Sequence, residues 1–384
     1  MQAKIIHKDI FLNFKKMSPI NRALLILISI FLITLAYAST VSRHSEDLQN
    51  PDDWYRTSDK HEIKRKFEYY WYYPSWKHLV FPSEKIPSDY LNWIFHAFIW
   101  ADNDWGLVIP EWFEDQLIVD NLKKKWELVS ISIGWWENSQ WFREVAKKPL
   151  SRLRFISELR QFINENWYNG VDLDWEYPVW TIEADQFISF AKDIRRNIPG
   201  ITLTAALPIS LDSLWVEKIE EMQKYLDFVL VMAYDIEDGS DGYAWINAPL
   251  HRTDKMREDV SIATLLEANY ISKWVPREKI VLWLPLYWRT YNVTAPYENT
   301  LWSEDIEYKD IPFDKCEKSY VWWPILKCEK SYVSYDDTRS IAEKIRYAKD
   351  NDLRWVFFWA LWQDDNMIIY KLKNRLNRPT RQVQ

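Results

Sequence analysis

The densest chemistry in the chain lies in ten residues, Asn169-Gly170-Val171-Asp172-Leu173-Asp174-Trp175-Glu176-Tyr177-Pro178. Strand side chains alternate between two faces, so Asp172, Asp174 and Glu176 share one face and Val171, Leu173 and Trp175 the other. The apolar back face buries the segment, which argues against a merely solvated acidic strand end. Carboxyls crowded in a buried place raise one another's pKa. One of them can then stay protonated at neutral pH and act as a general acid.

Elements must position these acids. From Phe67 onward, short β-branched or aromatic runs recur with amphipathic stretches between them, the pattern of βα units around parallel strands. Eight strands are expected, near 67–72, 93–99, 127–133, 170–176, 201–206, 227–233, 279–285 and 354–360. Helical patterns fill gaps at Glu183–Asn197, Asp259–Ser272 and Thr338–Asp350, the last with Ile341, Ile345 and Ala348 on one face. The α/β class and this count predict a (β/α)8 TIM barrel with its site at the strand C-terminal ends, and the acids end the fourth strand. Between strands seven and eight, about 290–335, no helical period holds. There Lys-Cys-Glu-Lys-Ser-Tyr occurs at 315–320 and again at 327–332, each copy followed by Val. That suits a small hairpin insertion, and Cys316 and Cys328 could pair within it in an exported protein.

The acidic segment resembles the D-x-x-D-x-D-x-E signature of the family 18 glycoside hydrolases, the chitinases and their relatives. Asn169 replaces the first Asp and the D-x-D-x-E core is intact. Similar stretches follow in family order: Tyr72-Tyr73-Pro74-Ser75-Trp76, Ala97-Phe98, Ser132-Ile133-Gly134, Met232-Ala233-Tyr234-Asp235, Leu284-Pro285-Leu286-Tyr287 with Arg289, Tyr335-Asp336-Asp337 and Phe357-Phe358-Trp359. The resemblance implies a retaining, substrate-assisted mechanism in which the 2-acetamido oxygen of the substrate attacks the anomeric carbon and no enzyme nucleophile is needed. By similarity, Glu176 protonates the glycosidic oxygen, Asp174 holds the acetamido N–H, and Asp172 behind it shares a proton. Tyr234 and Asp235 would bind the acetamido group and sugar, and Trp359 would floor the reacting ring. Tyr73, Phe98, Trp136, Tyr177, Met232, Tyr287 and Arg289 would line the cleft.

The implied partner is a β-1,4-linked N-acetylglucosamine oligo- or polysaccharide, most simply chitin, met by a monomer. Peptidoglycan- or glycan-directed endo-N-acetylglucosaminidase activity shares the acetamido chemistry and stays open. A chitin-binding lectin on the same barrel is a third reading, disfavoured because Glu176 is present. Composition narrows the rest. With 49 Lys+Arg against 56 Asp+Glu the net charge is −7, which excludes nucleic acid as the main partner. Six histidines with no H-E-x-x-H spacing predict no metal site, and no cofactor is expected. His96, inside strand two, is expected to pack rather than ligate.

The chain has 6 glycines and 25 tryptophans. An average chain of this length would hold about 27 glycines. Against the family pattern, Trp stands where Gly is expected at Trp135, Trp283, Trp288, Trp355 and Trp362. Trp126 and Trp274 follow helical stretches, at positions that favour the left-handed conformation of glycine. The pattern predicts UGA codons that the cell reads as glycine and that are translated here as tryptophan. The alternative is an authentic Trp-rich protein stacking on sugar, but stacking residues belong in the cleft and not at helix ends. Trp76, Trp136, Trp175 and Trp359 match aromatic positions of the family and are expected to be genuine.

At the N-terminus, Lys4, Lys8, Lys15, Lys16 and Arg22 precede an apolar run from Ala23 to Ala38 that closes with Ala36-Tyr37-Ala38. This reads as a signal peptide over 1–38, cleaved after Ala38 or kept as a membrane anchor through 23–38, and either form exports the remainder. Polar residues 39–65 read as a linker, 66–377 as the barrel and 378–384 as a tail.

Overall fold

Strands whose residues are apolar on both faces can be covered on both, and here they are. In the computed structural model β1 (Tyr69–Pro74), β2 (Trp93–Ala101), β4 (Leu128–Gly134), β5 (Gly170–Asp174), β6 (Thr202–Pro208), β7 (Phe228–Met232), β8 (Ile280–Pro285) and β14 (Trp355–Trp359) run parallel. Each pairs with the next, and β14 pairs with β1 through Tyr69↔Val356, Tyr70↔Phe357 and Trp71↔Phe358, closing the barrel. The structure describes residues 69–372 except 88–90, 114–115, 126–127, 137–138, 212, 237–241, 257–259, 301, 308–309, 322, 364–367 and 369–370. The signal, the linker, the tail and Trp126 lie outside the described residues.

The two strand faces build two apolar clusters. Inside the barrel Tyr70, Tyr72, Phe95, Met232, Trp283 and Phe357 pack together. Outside it Trp71, Tyr73, Ile94, Val171, Leu173 and Trp175 pack against the helices. These helices are α1 (Gln116–Lys125), α2 (Ser139–Lys147), α3 (Pro149–Asn166), α4 (Thr181–Asn197), α5 (Ser213–Met222), α6 (Ile262–Asn269) and α7 (Thr338–Asp350). The apolar back of β5 behaves as its alternation requires: Trp175 is fully buried, 5.3 Å from the Phe142 ring of α2. His96 packs as expected, stacked 3.7 Å from Phe113 with Nδ1 2.8 Å from the Tyr168 hydroxyl.

The (β/α)8 barrel and its eight strands are as the sequence indicates, with three adjustments. The fourth strand ends at Asp174, so Glu176 stands two residues past it in the loop. The helix expected over Asp259–Ser272 is shorter, Ile262–Asn269, and is followed by a 3-10 turn at Ile271–Lys273. The insertion does contain the expected hairpin, β11 (Glu317–Val321) against β12 (Trp323–Lys327), with Cys316 and Cys328 disulfide-bonded across its base. It is more than a hairpin, however: β9 (Tyr287–Tyr291), β10 (Ser303–Glu307) and β13 (Tyr332–Ser334) extend it to a five-stranded antiparallel sheet. A two-residue β3 (Leu107–Val108) pairs with the end of β2.

The insertion sheet is tied to the barrel by a buried ion pair. Lys344 Nζ of α7 lies 2.6 Å from Asp336 Oδ2, both side chains almost fully buried. Asp336 also accepts from Ser340 Oγ at 2.7 Å and from Trp323 Nε1 of β12 at 3.1 Å. Asp337, the next residue, caps α7 by accepting from the Arg339 and Ser340 backbone N–H groups.

Candidate active site

Register brings three strands together around Asp172. Ser132 of β4 and Thr204 of β6 are its direct neighbours in the sheet. Ser132 Oγ donates to Asp172 Oδ2 at 2.7 Å and Thr204 Oγ1 to Oδ1 at 2.6 Å, and the Tyr72 hydroxyl of β1 donates to Oδ2 as well. Asp174, one layer nearer the strand end, is equally buried, yet its Oδ1 finds no partner among the described residues. Burial raises the pKa of both carboxyls. At Asp172 three hydroxyl donors oppose that rise, because they favour the charged form. At Asp174 the charges of Glu176 and Asp172 add to burial, so its pKa is driven well above the carboxylate range. The donors thus favour the charged form at Asp172, while burial and neighbouring charge favour the neutral form at Asp174.

Glu176 follows in the loop, its backbone N–H donating to Ser139 Oγ of α2 at 2.8 Å. Burial raises its pKa to about 7, helped by the charge of Asp235 and opposed by hydrogen bonds from the Tyr177 hydroxyl and the Trp136 backbone. At neutral pH a large fraction of this carboxyl is protonated and able to donate. Tyr234, just past β7, has its ring edge-on to Trp283 at 5.6 Å and to Tyr287 at 5.7 Å. Its hydroxyl pKa is pushed up by burial and by the charges of Glu176 and Asp174. Asp235 beside it is held by Arg289 Nη2 of β9 at 2.9 Å, and the same nitrogen reaches Asp305 Oδ1 of β10 at 2.9 Å.

Aromatic rings surround the acids. Trp359, ending β14, packs edge-on to Tyr72 at 5.2 Å and at 6.0 Å from Phe98, and Phe98 stacks on Trp76 at 5.7 Å. Met232 ends β7 in the same inner cluster. Trp136 is 64% exposed with its ring edge-on to Tyr177 at 6.3 Å, forming an aromatic rim next to Glu176.

One expected cleft residue is misplaced. Tyr73 faces outward into the helix layer, fully buried, with its hydroxyl donating to the Phe81 carbonyl at 3.2 Å. The strand alternation puts Tyr72 inside instead, stacked on Trp283 at 4.8 Å and bonded to Asp172. Tyr72, Ser132, Thr204 and Asp305 also reach the site; the matching stretches include Tyr72 and Ser132 but assign neither a role there, and Thr204 and Asp305 lie outside them. Tyr72 was within reach of strand parity, because it and Asp172 both point inward. Ser132 and Thr204 needed the sheet register, and Asp305 the pairing of β10 with β9.

Comparison with known proteins agrees with this architecture. Two curated relatives are a probable chitinase 2 of Drosophila melanogaster and a class V chitinase of Lotus japonicus. The first is 28% identical over 278 residues, 62% of this chain and 56% of the relative. This chain thus spans little more than half the length of that protein. The second is 25% identical over 339 residues, 78% of this chain and 83% of the relative. Among solved structures, a GH18 chitinase from Cycas revoluta in complex with (GlcNAc)3 superposes with a TM-score of 0.72 at 22% identity, covering 80% of this chain and 99% of that one. A group IV chitinase from Ostrinia furnacalis gives 0.73 at 20% identity, covering 82% and 100%. At such identities these two structures speak for the fold. The model of the glycosyl hydrolases family 18 matches residues 68–364, a span that holds every barrel strand, and the chain belongs to that family.

Proposed function

We propose that this chain is an exported retaining glycosidase that hydrolyses β-1,4-linked N-acetylglucosamine polymers, most simply chitin or chito-oligosaccharides. The observation that carries the reading is geometric: Asp172 and Asp174 share the inward face of β5, Asp174 Oδ1 has no partner among the described residues, and Glu176 follows in the loop with its pKa raised to about 7. In the first step Glu176 gives its proton to the glycosidic oxygen and the C1–O bond breaks. The acetamido carbonyl oxygen of the same sugar forms a bond to C1, giving an oxazolinium ion, and Asp174 accepts a hydrogen bond from the acetamido N–H as its own proton moves towards Asp172. In the second step Glu176 removes a proton from water as the water oxygen attacks C1 and the oxazolinium ring opens. Two inversions retain the configuration. Tyr234 and Asp235 orient the acetamido group and sugar, and Trp359 supplies an apolar floor.

Export is supported by the leader pattern and by the Cys316–Cys328 disulfide, a bond at home in an oxidising compartment. Replacing the acid tests the assignment: Glu176→Gln should lower turnover of chito-oligosaccharides by about 10²–10⁴ or more while leaving their binding intact. Undiminished hydrolysis by that variant would overturn it.

A further inference from the structure

Left-handed backbone strains any L-residue with a bulky side chain, because Cβ crowds the following carbonyl oxygen. Eight non-glycine residues among those described have a φ in this region. Five are tryptophan: Trp105 at 66°, Trp135 at 93°, Trp167 at 59°, Trp274 at 63° and Trp362 at 83°. The others are Asp235, Asp352 and Tyr297. Aspartate tolerates this conformation and an indole does not.

Packing does not account for the choice. Trp167 and Trp274 are 80% and 78% exposed. Both close helical turns as left-handed caps: after Trp167 the Tyr168 N–H returns to the Ile163 carbonyl at 3.2 Å, and after Trp274 the Val275 N–H returns to Tyr270 at 3.1 Å. This is the cap position that glycine fills. Trp105 sits in a tight turn, its N–H donating to the Asp102 carbonyl at 3.1 Å while the Asp102 N–H donates to the Gly106 carbonyl at 2.9 Å. Trp283, Trp288 and Trp355 lie in strands with extended backbone, so this conformational argument does not extend to them.

Position 135 reaches the site itself. It follows Gly134, whose own φ is 128° and where a Cβ would fall 2.0 Å from the Asp174 carbonyl oxygen. The Trp135 N–H donates to that same oxygen at 2.9 Å. Its indole lies face to face with Trp76 at 5.5 Å and with Phe98 at 6.0 Å, filling the space against two rings of the site.

We propose that residues 105, 135, 167, 274 and 362 are glycine in the protein as its cell makes it, through codons read there as glycine, and that position 135 thereby decides whether substrate can occupy the space against Trp76 and Phe98. The surplus of tryptophan over glycine across the chain is the compositional trace of the same reading. The part concerning substrate rests on the glycosidase reading above; the residue assignment does not.

Peptide mass spectrometry of the protein purified from its own cell tests the assignment directly. Peptides covering the five positions should carry the glycine mass at each, with tryptophan retained at 136, 175 and 359 as internal controls. Tryptophan at any of the five overturns the proposal, whatever the enzyme hydrolyses. A gene with the five glycines should also give a thermal midpoint higher by about 10 °C than the gene with five tryptophans, and equal midpoints would count against strain at these sites. For the cleft, Trp135→Gly in a Glu176→Gln background should tighten binding of a GlcNAc tetramer. An unchanged Kd overturns the role given to position 135 and leaves the mass result to stand or fall alone.

Discussion

Asp172 and Asp174 point the same way from β5 two residues apart, and among the described residues only Asp172 is met by hydroxyl donors, from the adjacent strands β4 and β6 and from β1 across the barrel. That asymmetry favours the charged form at Asp172 and the neutral form at the carboxyl nearer the strand end. If the donors set this balance, Thr204→Val should let the shared proton pass to Asp172 before substrate binds, so that its transfer no longer accompanies oxazolinium formation. We expect kcat to fall about tenfold with little change in KM, as for one lost hydrogen bond to a charged group. Wild-type kcat in a folded variant would show that the donors do not matter.

The pH profile should report Glu176. A general acid with a pKa near 7 is active below that value, so kcat/KM should fall as pH rises through about 7. Asp235 contributes to the elevation by its charge, so Asp235→Asn should move this limb to lower pH. A limb that stays in place would assign it to another group.

Stability carries the same signature with a definite sign. Because the folded pKa of Glu176 lies above its ordinary value of 4.5, the folded state binds this proton more tightly than the unfolded one. Its stabilising contribution is full below pH about 4.5 and is lost as pH rises through about 7. At pH 8, Glu176→Gln should therefore be more stable than the parent by about 3 kcal/mol, read from urea unfolding, and no more stable at pH 4.

Arg289 is shared between Asp235 and Asp305, one on each side of the junction between barrel and insertion sheet. Asp305→Asn removes one anchor from a guanidinium that must stay aligned with Asp235. Steady-state kinetics should show KM raised several-fold with kcat nearly unchanged, since Asp305 belongs to the positioning of the site and not to the reacting atoms. A fall in kcat at constant KM would contradict this placement.

Deep in the molecule, Lys344→Met should be among the most damaging single changes. It leaves the Asp336 carboxylate buried without its cation, at a cost of about 3–5 kcal/mol. Adding Asp336→Asn to the same chain should recover part of that loss, and a double variant no better than Lys344→Met would point to packing rather than charge.

The barrel was legible in the sequence because its strands are short β-branched or aromatic runs with helical patterns in most of the gaps between them, and a closed parallel barrel needs little else to be recognised. The acids were legible for a similar reason, since Asp172, Asp174 and Glu176 are written at period two. Tyr73 failed on the same rule, misapplied: a motif match drew attention to the wrong member of Tyr72-Tyr73, although strand parity favours Tyr72. Ser132 and Thr204 reach Asp172 across strand boundaries, and lateral register is a property of the assembled sheet that no single strand encodes. The insertion was read as a hairpin because only its repeated half, around Cys316 and Cys328, has an internal signal. β9, β10 and β13 pair across separations that local patterning does not reveal.

The pairing of Tyr69 with Val356 joins the first and last strands of the ring, and this sets an order of events during synthesis. Until β14 leaves the ribosome, β1 and β8 present raw edges and Tyr72 has no Trp359 beside it. The growing chain can thus hold all of its candidate acids and still lack a finished cavity, so the ring closes only with the last tenth of the polypeptide.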